Sequence, residues 1–244
     1  MPSFDSYTTV AENVLIVTHA VPIQRIRPEV PEALELDAIK GPEGEDFALV
    51  STRFFLNRDL RWSPSGEESL DFHQCFSETY VRSNEETGVY VLACFLERET
   101  PLVFERLAMK NAYAADFDVS LAYDPTERAY QHYYTELLSS KGDTAIEVSS
   151  AGHEPSARTP FESGQEMSRY ITDRHILYFA MIGGGLGAMR LEFGEMNPIE
   201  GDLLSGEFGY WEDLGVLREE EFEKPYSVLL QPAIEVIVHA PEMN

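Results

Sequence analysis

Short segments in which apolar and polar residues alternate recur along this chain, and they restrict its possible folds more than any other feature. In 113–121, for example, Tyr113, Phe117 and Val119 alternate with small or acidic residues. A period of two is typical of a strand with one buried face. Because about ten strand-like segments follow one another with few helices between them, the sequence predicts a mostly-β (α+β) protein. We expect a closed or strongly curled antiparallel β-barrel with a few short helices.

The most definite pairing is a hairpin of 70–82 with 89–98, closed by the polar loop 83–88. One register sets three residues of the first strand opposite three of the second: Tyr80 opposite Val91, Glu78 opposite Ala93, and Phe76 opposite Phe95. A slip of one residue would invert the buried and exposed faces.

The remaining segments extend this pattern over the whole chain, 1–244, which we interpret as one domain. Further strands are predicted at 127–138, 143–150, 171–181, 186–193, 203–210 and 226–238. A helix is expected from the Thr100–Pro101 cap to Asn111, and a shorter one within 160–169. The glycine-rich stretch 182–187 fits a hairpin turn better than a phosphate loop, because no helix follows it.

The charged composition of the chain argues against two classes of binding partner. The 18 basic and 43 acidic residues give a net charge of −25, which would repel nucleic acid and anionic membranes. Such a surface also suits a high-salt cytoplasm, where counterions screen self-repulsion. The sequence has no apolar run long enough to span a membrane and no visible signal peptide, so we expect a cytoplasmic protein. A homo-oligomer is compatible with this composition.

Five stretches together resemble a known family. They are His19 with 27–37, 78–82 with 88–90, Arg106 with 111–113, 172–178, and 230–235. In order and spacing they are similar to the YqjF-like uncharacterised family, a domain of unknown function in the acetoacetate decarboxylase-like superfamily. The resemblance covers roughly residues 14–238 and implies the curled decarboxylase-like barrel.

The resemblance departs from the decarboxylases at the residue that performs their chemistry. Those enzymes carry an arginine, a proline six residues later and then two lysines. Counting from Arg106, Ala112 falls at the proline, and Tyr113 and Ala114 fall at the lysines. A tyrosine cannot form the imine that a neutral lysine amine forms with a ketone. Lys110 is near in sequence, but it is expected on the preceding helix.

Glu78 is the first candidate site residue. It stands where the family usually has an arginine, and it shares a strand face with Tyr80. Burial there would raise the pKa of its carboxyl group and suit it to acid–base chemistry. A structural ion pair with Arg82 or Arg106 is the alternative.

Arg174 is the second candidate, expected on a strand face that also carries Tyr178. An inward arginine could hold a carboxylate ligand through two hydrogen bonds, or could pair with Glu78 and seal the core. Tyr113 is expected on an inward, apolar face, where packing is the alternative to a role in the site. The candidate catalytic residues are therefore Glu78, Arg174 and Tyr113, and the candidate ligand-binding residues are Arg106, Tyr80 and Tyr178.

No cofactor and no metal are expected, because the histidines lack metal-ligand spacing and neither Cys75 nor Cys94 lies in a CxxC motif. Two functional hypotheses stay open. The first is a module that binds a small organic acid or apolar molecule in its barrel. The second is an enzyme that performs enolisation or lyase chemistry on a small acid or ketone. We expect Glu78 and Arg174 to face one cavity, with Arg106 and Tyr113 at its edge.

Overall fold

The computed structural model describes residues 5–63, 69–84, 86–100, 103 and 106–243. The strands are β1 Ser6–Pro22, β2 Glu35–Leu36, β3 Ile39–Lys40, β4 Asp46–Ser63, β5 Leu70–Ser83, β6 Glu86–Glu97, β7 Ala112–Asp124, β8 Ala129–Ser139, β9 Thr144–Ser149, β10 Ile176–Ala180, β11 Leu186–Phe193, β12 Ile199–Glu200, β13 Asp202–Phe208, β14 Ser227–His239 and β15 Glu242–Met243. The α-helices with described bounds are α1 Ile23–Ile26, α2 Gly164–Thr172 and α3 Gly209–Asp213, and 3-10 turns cover Arg27–Glu29 and Glu219–Glu221.

Strands from both halves of the chain close into a ring. The order around it is β6, β10, β11, β14, β1, β4, β5 and back to β6. The β6–β10 contact is parallel, and the other contacts in the ring are antiparallel. The far end of β6 also pairs with β7 in parallel, and β8, β9 and β13 continue from β7 as an antiparallel extension. The predicted mostly-β, strongly curled sheet is therefore confirmed.

Both faces of the ring are buried. On β10, Leu177 and Phe179 pack into one apolar cluster, whereas Ile176 and Tyr178 pack into a second. The first, which we call the inner cluster, has members on all seven strands of the ring and fills its interior. The second, the outer cluster, contains Tyr133 and other residues of the extension, so it lies between the ring and that extension.

The predicted hairpin of β5 with β6 is present, but its register differs. Tyr80 lies opposite Val89 and Glu78 opposite Val91, with an irregularity between Ser77 and Glu78. The pairing of these two residues is displaced by two positions, an even number, so Glu78 keeps the face that the sequence assigned to it. The irregularity was not visible in the apolar pattern, because the residues on both sides of it are buried.

The predicted strand 171–181 is wrong in its first half. Residues 171 and 172 belong to α2, whose N-terminus is capped by Ser163 through the backbone N–H of Glu166. Met167 and Ile171 lie four residues apart, and both are buried on the same helix face. Because a short apolar run fits either period, helical spacing here was mistaken for strand alternation.

Two other local predictions have different outcomes. The turn at 182–187 is confirmed, since Gly183, Gly184 and Gly185 join β10 to β11 with φ of 96°, 98° and 93°. Of the helix predicted from Thr100 to Asn111, residues 101, 102, 104 and 105 lie outside the described residues. Val103, Arg106 and Leu107 are helical, and Met109 forms a bridge with Met181. Within the described ranges, no helix has both the length and the apolar character needed to cross a membrane.

His19 makes the stability of the fold sensitive to acid. Its ring is buried, and Nε2 donates to the carbonyl of Phe222 at 3.2 Å. Burial lowers the pKa of His19 from 6.5 to about 4, although the Phe222 carbonyl opposes the shift. The unfolded chain therefore binds a proton that the folded chain excludes. The contribution of His19 to the free energy of unfolding is therefore complete above a pH of about 6.5, and it decreases as the pH drops toward 4.

Urea unfolding of the wild type and of His19→Gln from pH 7.5 to 4.5 measures this contribution. We expect the wild type to lose up to about 3 kcal/mol more than the variant over that range. His132→Gln, at a half-exposed surface position, is the control and should follow the wild type. Parallel pH curves for wild type and His19→Gln would contradict the assignment.

Candidate functional site

A cavity of about 80 Å³ lies inside the ring. Its wall comes from β1, β4, β5, β10, β11 and β14, together with Met196. The wall is mostly apolar and aromatic, and it includes Tyr7, Phe55, Phe76, Leu177, Phe193 and Val236. Three side chains supply its amide and charged groups, namely Arg53, Asn57 and Gln74. An apolar cavity with a few convergent polar groups is the usual form of a small-molecule site.

The alternation of β4 directs these polar groups inward. Arg53, Phe55 and Asn57 line the cavity, whereas Phe54, between them, packs into the outer cluster. Asn57 donates from Nδ2 to Oε1 of Gln74 on β5 at 2.9 Å. Gln74 in turn donates from Nε2 to the Cys94 thiol at 3.3 Å. The amide pair is therefore held by neighbouring strands, which fixes the polar end of the cavity.

Glu78 lies against Arg53, and its side chain has no exposed surface. Arg53 Nη2 is 2.6 Å from Glu78 Oε1. This short contact is an ion pair, and Oε2, the other oxygen of Glu78, has no hydrogen-bond partner among the described residues. Burial raises the pKa of Glu78, while the charges of Arg53 and, less strongly, Arg174 oppose this shift. Of these two charged residues, Arg53 lines the cavity and Glu78 does not.

A chain of buried hydroxyl groups runs beside this pair. The Tyr80 hydroxyl is 2.8 Å from Ser51 Oγ, which is 2.8 Å from Thr18 Oγ1. Ser51 lies opposite Glu78 on the neighbouring strand. Burial raises the pKa of Tyr80, so its phenol is neutral at physiological pH. The chain therefore adds dipoles but no charge to the interior.

Arg174 lies in the turn between α2 and β10, not on a strand as predicted. Its Nη1 is 2.8 Å from Asp37 Oδ2, and its Nε donates to the Tyr170 carbonyl at 2.7 Å. The guanidinium also lies over the rings of Tyr80 and Tyr170, at 5.2 and 4.3 Å from their centroids. Asp37 accepts a further hydrogen bond from Arg82 Nε at 2.8 Å. Arg174 is thus paired with Asp37 and not with Glu78.

The other candidate residues lie apart from the cavity. Tyr113 is half-buried and packs against the outer cluster, 5.8 Å from the ring of Phe95. Tyr178 belongs to the same outer cluster. The expectation that Tyr113 lies at the edge of the cavity is wrong, because β7 belongs to the extension outside the ring and Tyr113 packs against the outer cluster. Arg106 packs 4.8 Å from the centroid of the Trp62 ring and is not part of the cavity wall.

The sequence did not identify the ion-pair partners of Glu78 and Arg174, which are Arg53 and Asp37. Arg53 lies on β4, and it shares the inward face of that strand with Phe55. A single arginine within an otherwise apolar strand face was the available signal. Asp37 ends the segment 27–37 that carries the family resemblance, but nothing local marks it as the partner of a residue 137 positions away.

Among the described residues, those that line the cavity include no lysine and no metal-binding cluster. All four lysines, Lys40, Lys110, Lys141 and Lys224, are exposed on the surface. Within the part of the chain that the structure describes, no group of three or more His, Cys, Asp or Glu side chains is arranged to hold a metal ion.

Solved structures with the same architecture are enzymes. The enduracididine biosynthesis enzyme MppR complexed with pyruvate is 13% identical, with a TM-score of 0.62 over 100% of this chain and 91% of that one. Acetoacetate decarboxylase from Legionella pneumophila subsp. pneumophila str. Philadelphia 1 is 14% identical, with a TM-score of 0.62 over 100% and 92%. An acetoacetate decarboxylase-like enzyme from Sphingomonas wittichii RW1 is 10% identical, with a TM-score of 0.61 over 100% and 94%.

At these identities the similarity concerns the fold, and it defines the class: this is an acetoacetate decarboxylase-like fold. The profile of a domain of unknown function, DUF2071, described as an uncharacterized conserved protein, matches residues 8–232. The chain belongs to that family. No curated protein matches the sequence.

Proposed function

We propose that this protein binds a short-chain carboxylic acid in the ring cavity and does so without forming an imine. The observation that carries the proposal is Arg53, a guanidinium in the wall of an otherwise mostly apolar cavity. Arginine presents a planar fork of N–H donors that matches a carboxylate, and its interaction strengthens where water is excluded. The apolar wall would then contact the hydrocarbon part of the ligand.

The volume of the cavity limits the size of the ligand that it can hold. Its volume of about 80 Å³ is well below that of the sites that hold drug-sized molecules, which span roughly 300–1,000 Å³. A compact acid of a few carbon atoms fits this constraint better than a long lipid chain. Pyruvate, a small carboxylate, is the ligand named for the MppR structure of the same fold.

The four exposed lysines support binding without imine chemistry. A Schiff-base lysine has to be neutral, which requires burial or a neighbouring cation. A surface lysine such as Lys110 has neither burial nor a position in the cavity wall. This protein would therefore share the fold of the decarboxylases without their covalent step, since a fold does not carry its function with it.

Acid–base catalysis is the second candidate. It is favoured by the raised pKa of Glu78, which is the direction that suits a general acid or base near neutral pH. Arg53 stands between Glu78 and the cavity, so binding is the function that the geometry supports better. Exchange of the α-protons of a keto acid into heavy water, followed by NMR, would favour the catalytic alternative.

Calorimetric titration with butyrate, and with the uncharged butyramide, tests the proposal. We expect the wild type to bind butyrate more tightly than butyramide, because only the anion pairs with a guanidinium. Arg53→Gln should weaken butyrate binding by about 10- to 100-fold, the loss expected for charge-assisted hydrogen bonds. The buried Glu78 left behind can be neutral, so this variant should still fold.

Arg58→Gln is the matched control. Arg58 lies on the same strand as Arg53, but it is exposed and pairs with Glu12 and Asp71 on the surface. This variant should bind butyrate as the wild type does. The proposal fails if wild type does not bind butyrate, or if Arg53→Gln and Arg58→Gln bind it equally well.

A further inference from the structure

The cavity has one cation in its wall, and that cation already has an anion. Arg53 is in contact with Glu78 at 2.6 Å, so the pair is neutral overall. Among the described residues that form the wall, Arg53 is the one charged side chain. The other buried guanidinium nearby, Arg174, is held by Asp37 at 2.8 Å. A second carboxylate entering from solvent would therefore share Arg53 with Glu78.

Two carboxylates and one guanidinium leave a net negative charge in a site with little water to screen it. Removing an uncompensated charge from water is costly, and a protein site avoids this by becoming neutral. Closely placed carboxyl groups do so by retaining one proton between them. We propose that a ligand carboxylate binds here together with one proton, which is held on Glu78, so that the site takes up the acid as an anion plus a proton.

The geometry around Glu78 is suited to this exchange. Glu78 Oε2 has no hydrogen-bond partner among the described residues, and Arg53 contacts Oε1, so a proton can be added at Oε2 while that contact is kept. Among the described residues its close ionic contact is the one with Arg53, and the ligand would compete for that guanidinium. As Arg53 turns toward the ligand, the carboxylate form of Glu78 loses its main stabilising charge.

The other titratable groups that face Glu78 cannot supply the proton uptake. They are Arg53 from β4, Tyr80 on its own strand, and Arg174 from the turn before β10. Cys75 lies on the opposite face of β5 and influences Glu78 through charge alone. Burial raises the pKa of both Tyr80 and Cys75, which are therefore already protonated. A guanidinium group has no site that accepts a further proton, so the two arginines cannot take one up. Glu78 is the member of this set that can accept a proton when the ligand draws Arg53 away.

This inference rests on the proposed function, and the experiment separates the two. Butyrate is titrated into the wild-type protein between pH 6 and 8.5, in two buffers with different heats of protonation, to count protons taken up per ligand. We expect about one proton per butyrate, and a Kd that rises about tenfold per pH unit once Glu78 is ionised in the free protein. Butyramide should bind with no proton uptake.

Glu78→Gln keeps the shape of the side chain and removes its charge. This variant should bind butyrate more tightly than the wild type at pH 8, because Arg53 is then free for the ligand, and its Kd should not change with pH. Glu86→Gln is the control, since Glu86 is exposed and pairs with Arg190 on the surface. It should retain the proton uptake of the wild type.

The outcomes are distinct. Butyrate binding that depends on Arg53 but takes up no proton at pH 8 would overturn the inference and leave the proposed function standing. Absence of butyrate binding at every pH would overturn both. The proton count is obtained on the wild type, so the inference remains testable even if Glu78→Gln does not fold.

Discussion

Replacing Asp37 by asparagine is expected to lower the free energy of unfolding by about 3–5 kcal/mol, the range for breaking a buried ion pair by removing one partner. The side chains of Arg174 and Asp37 are 4% and 2% exposed, and their charged atoms are 2.8 Å apart. Asparagine keeps the size of the side chain but leaves the Arg174 guanidinium without its anion. The rings of Tyr80 and Tyr170 that flank it would offset only part of this loss.

Urea unfolding followed by circular dichroism measures the effect. Asp116→Asn is the matched control, because Asp116 pairs with Arg98 on the surface, where solvent screens the interaction. This control should leave the midpoint almost unchanged. Equal midpoints for the two variants would mean that the Asp37–Arg174 contact does not stabilise the fold.

The second large effect is expected at Trp211, which joins α3 to the ring. Its side chain is 1% exposed, and its indole N–H donates to Thr52 Oγ1 at 2.9 Å. Trp211→Ala should cost about 3–5 kcal/mol of unfolding free energy, because it leaves a large void in the outer cluster.

Trp211→Phe separates the packing of Trp211 from its hydrogen bond. Phenylalanine retains most of the apolar contact but leaves the Thr52 hydroxyl without its donor. We expect a loss of about 1–3 kcal/mol, smaller than that of Trp211→Ala. The same urea titration compares the variants. If the two substitutions were equally costly, the hydrogen bond and not the packing would account for the role of Trp211.

The arrangement of charges in the ring differs from what the sequence suggested in one functional respect. Glu78 and Arg174 were expected to face one cavity, either as a pair or with a ligand between them, but each has another partner, Arg53 and Asp37 respectively. Asp37 is bonded to Arg82 as well as to Arg174, and we therefore interpret the Asp37–Arg174 pair as structural. The Glu78–Arg53 pair meets a cavity, and it is the pair on which our proposals depend.

Local sequence pattern was sufficient for much of the fold. The alternation in 113–121, the strand at 186–193 and the glycine turn before it all depend on neighbouring residues only, and each is present in the structure. The face occupied by Glu78 was also correct, because strand period is a local property. The family resemblance added membership of a family of unknown function and the decarboxylase-like fold, and the comparisons confirm both.

Only the tertiary structure showed which buried face of each ring strand points into the ring and which points outward. In an ordinary antiparallel sheet the apolar face is the inner one, but here the ring is covered by an extension, so both faces are apolar. Alternation therefore could not distinguish Tyr113 and Tyr178, on the outer face, from Tyr80 on the inner one. The partners of Glu78 and Arg174 come from other strands and turns, brought together by a ring whose closure is not encoded in any local segment. The sequence by itself determined which segments form strands and which side chains share a strand face. Only the closed ring determined that Arg53 lines a cavity while its partner Glu78 does not.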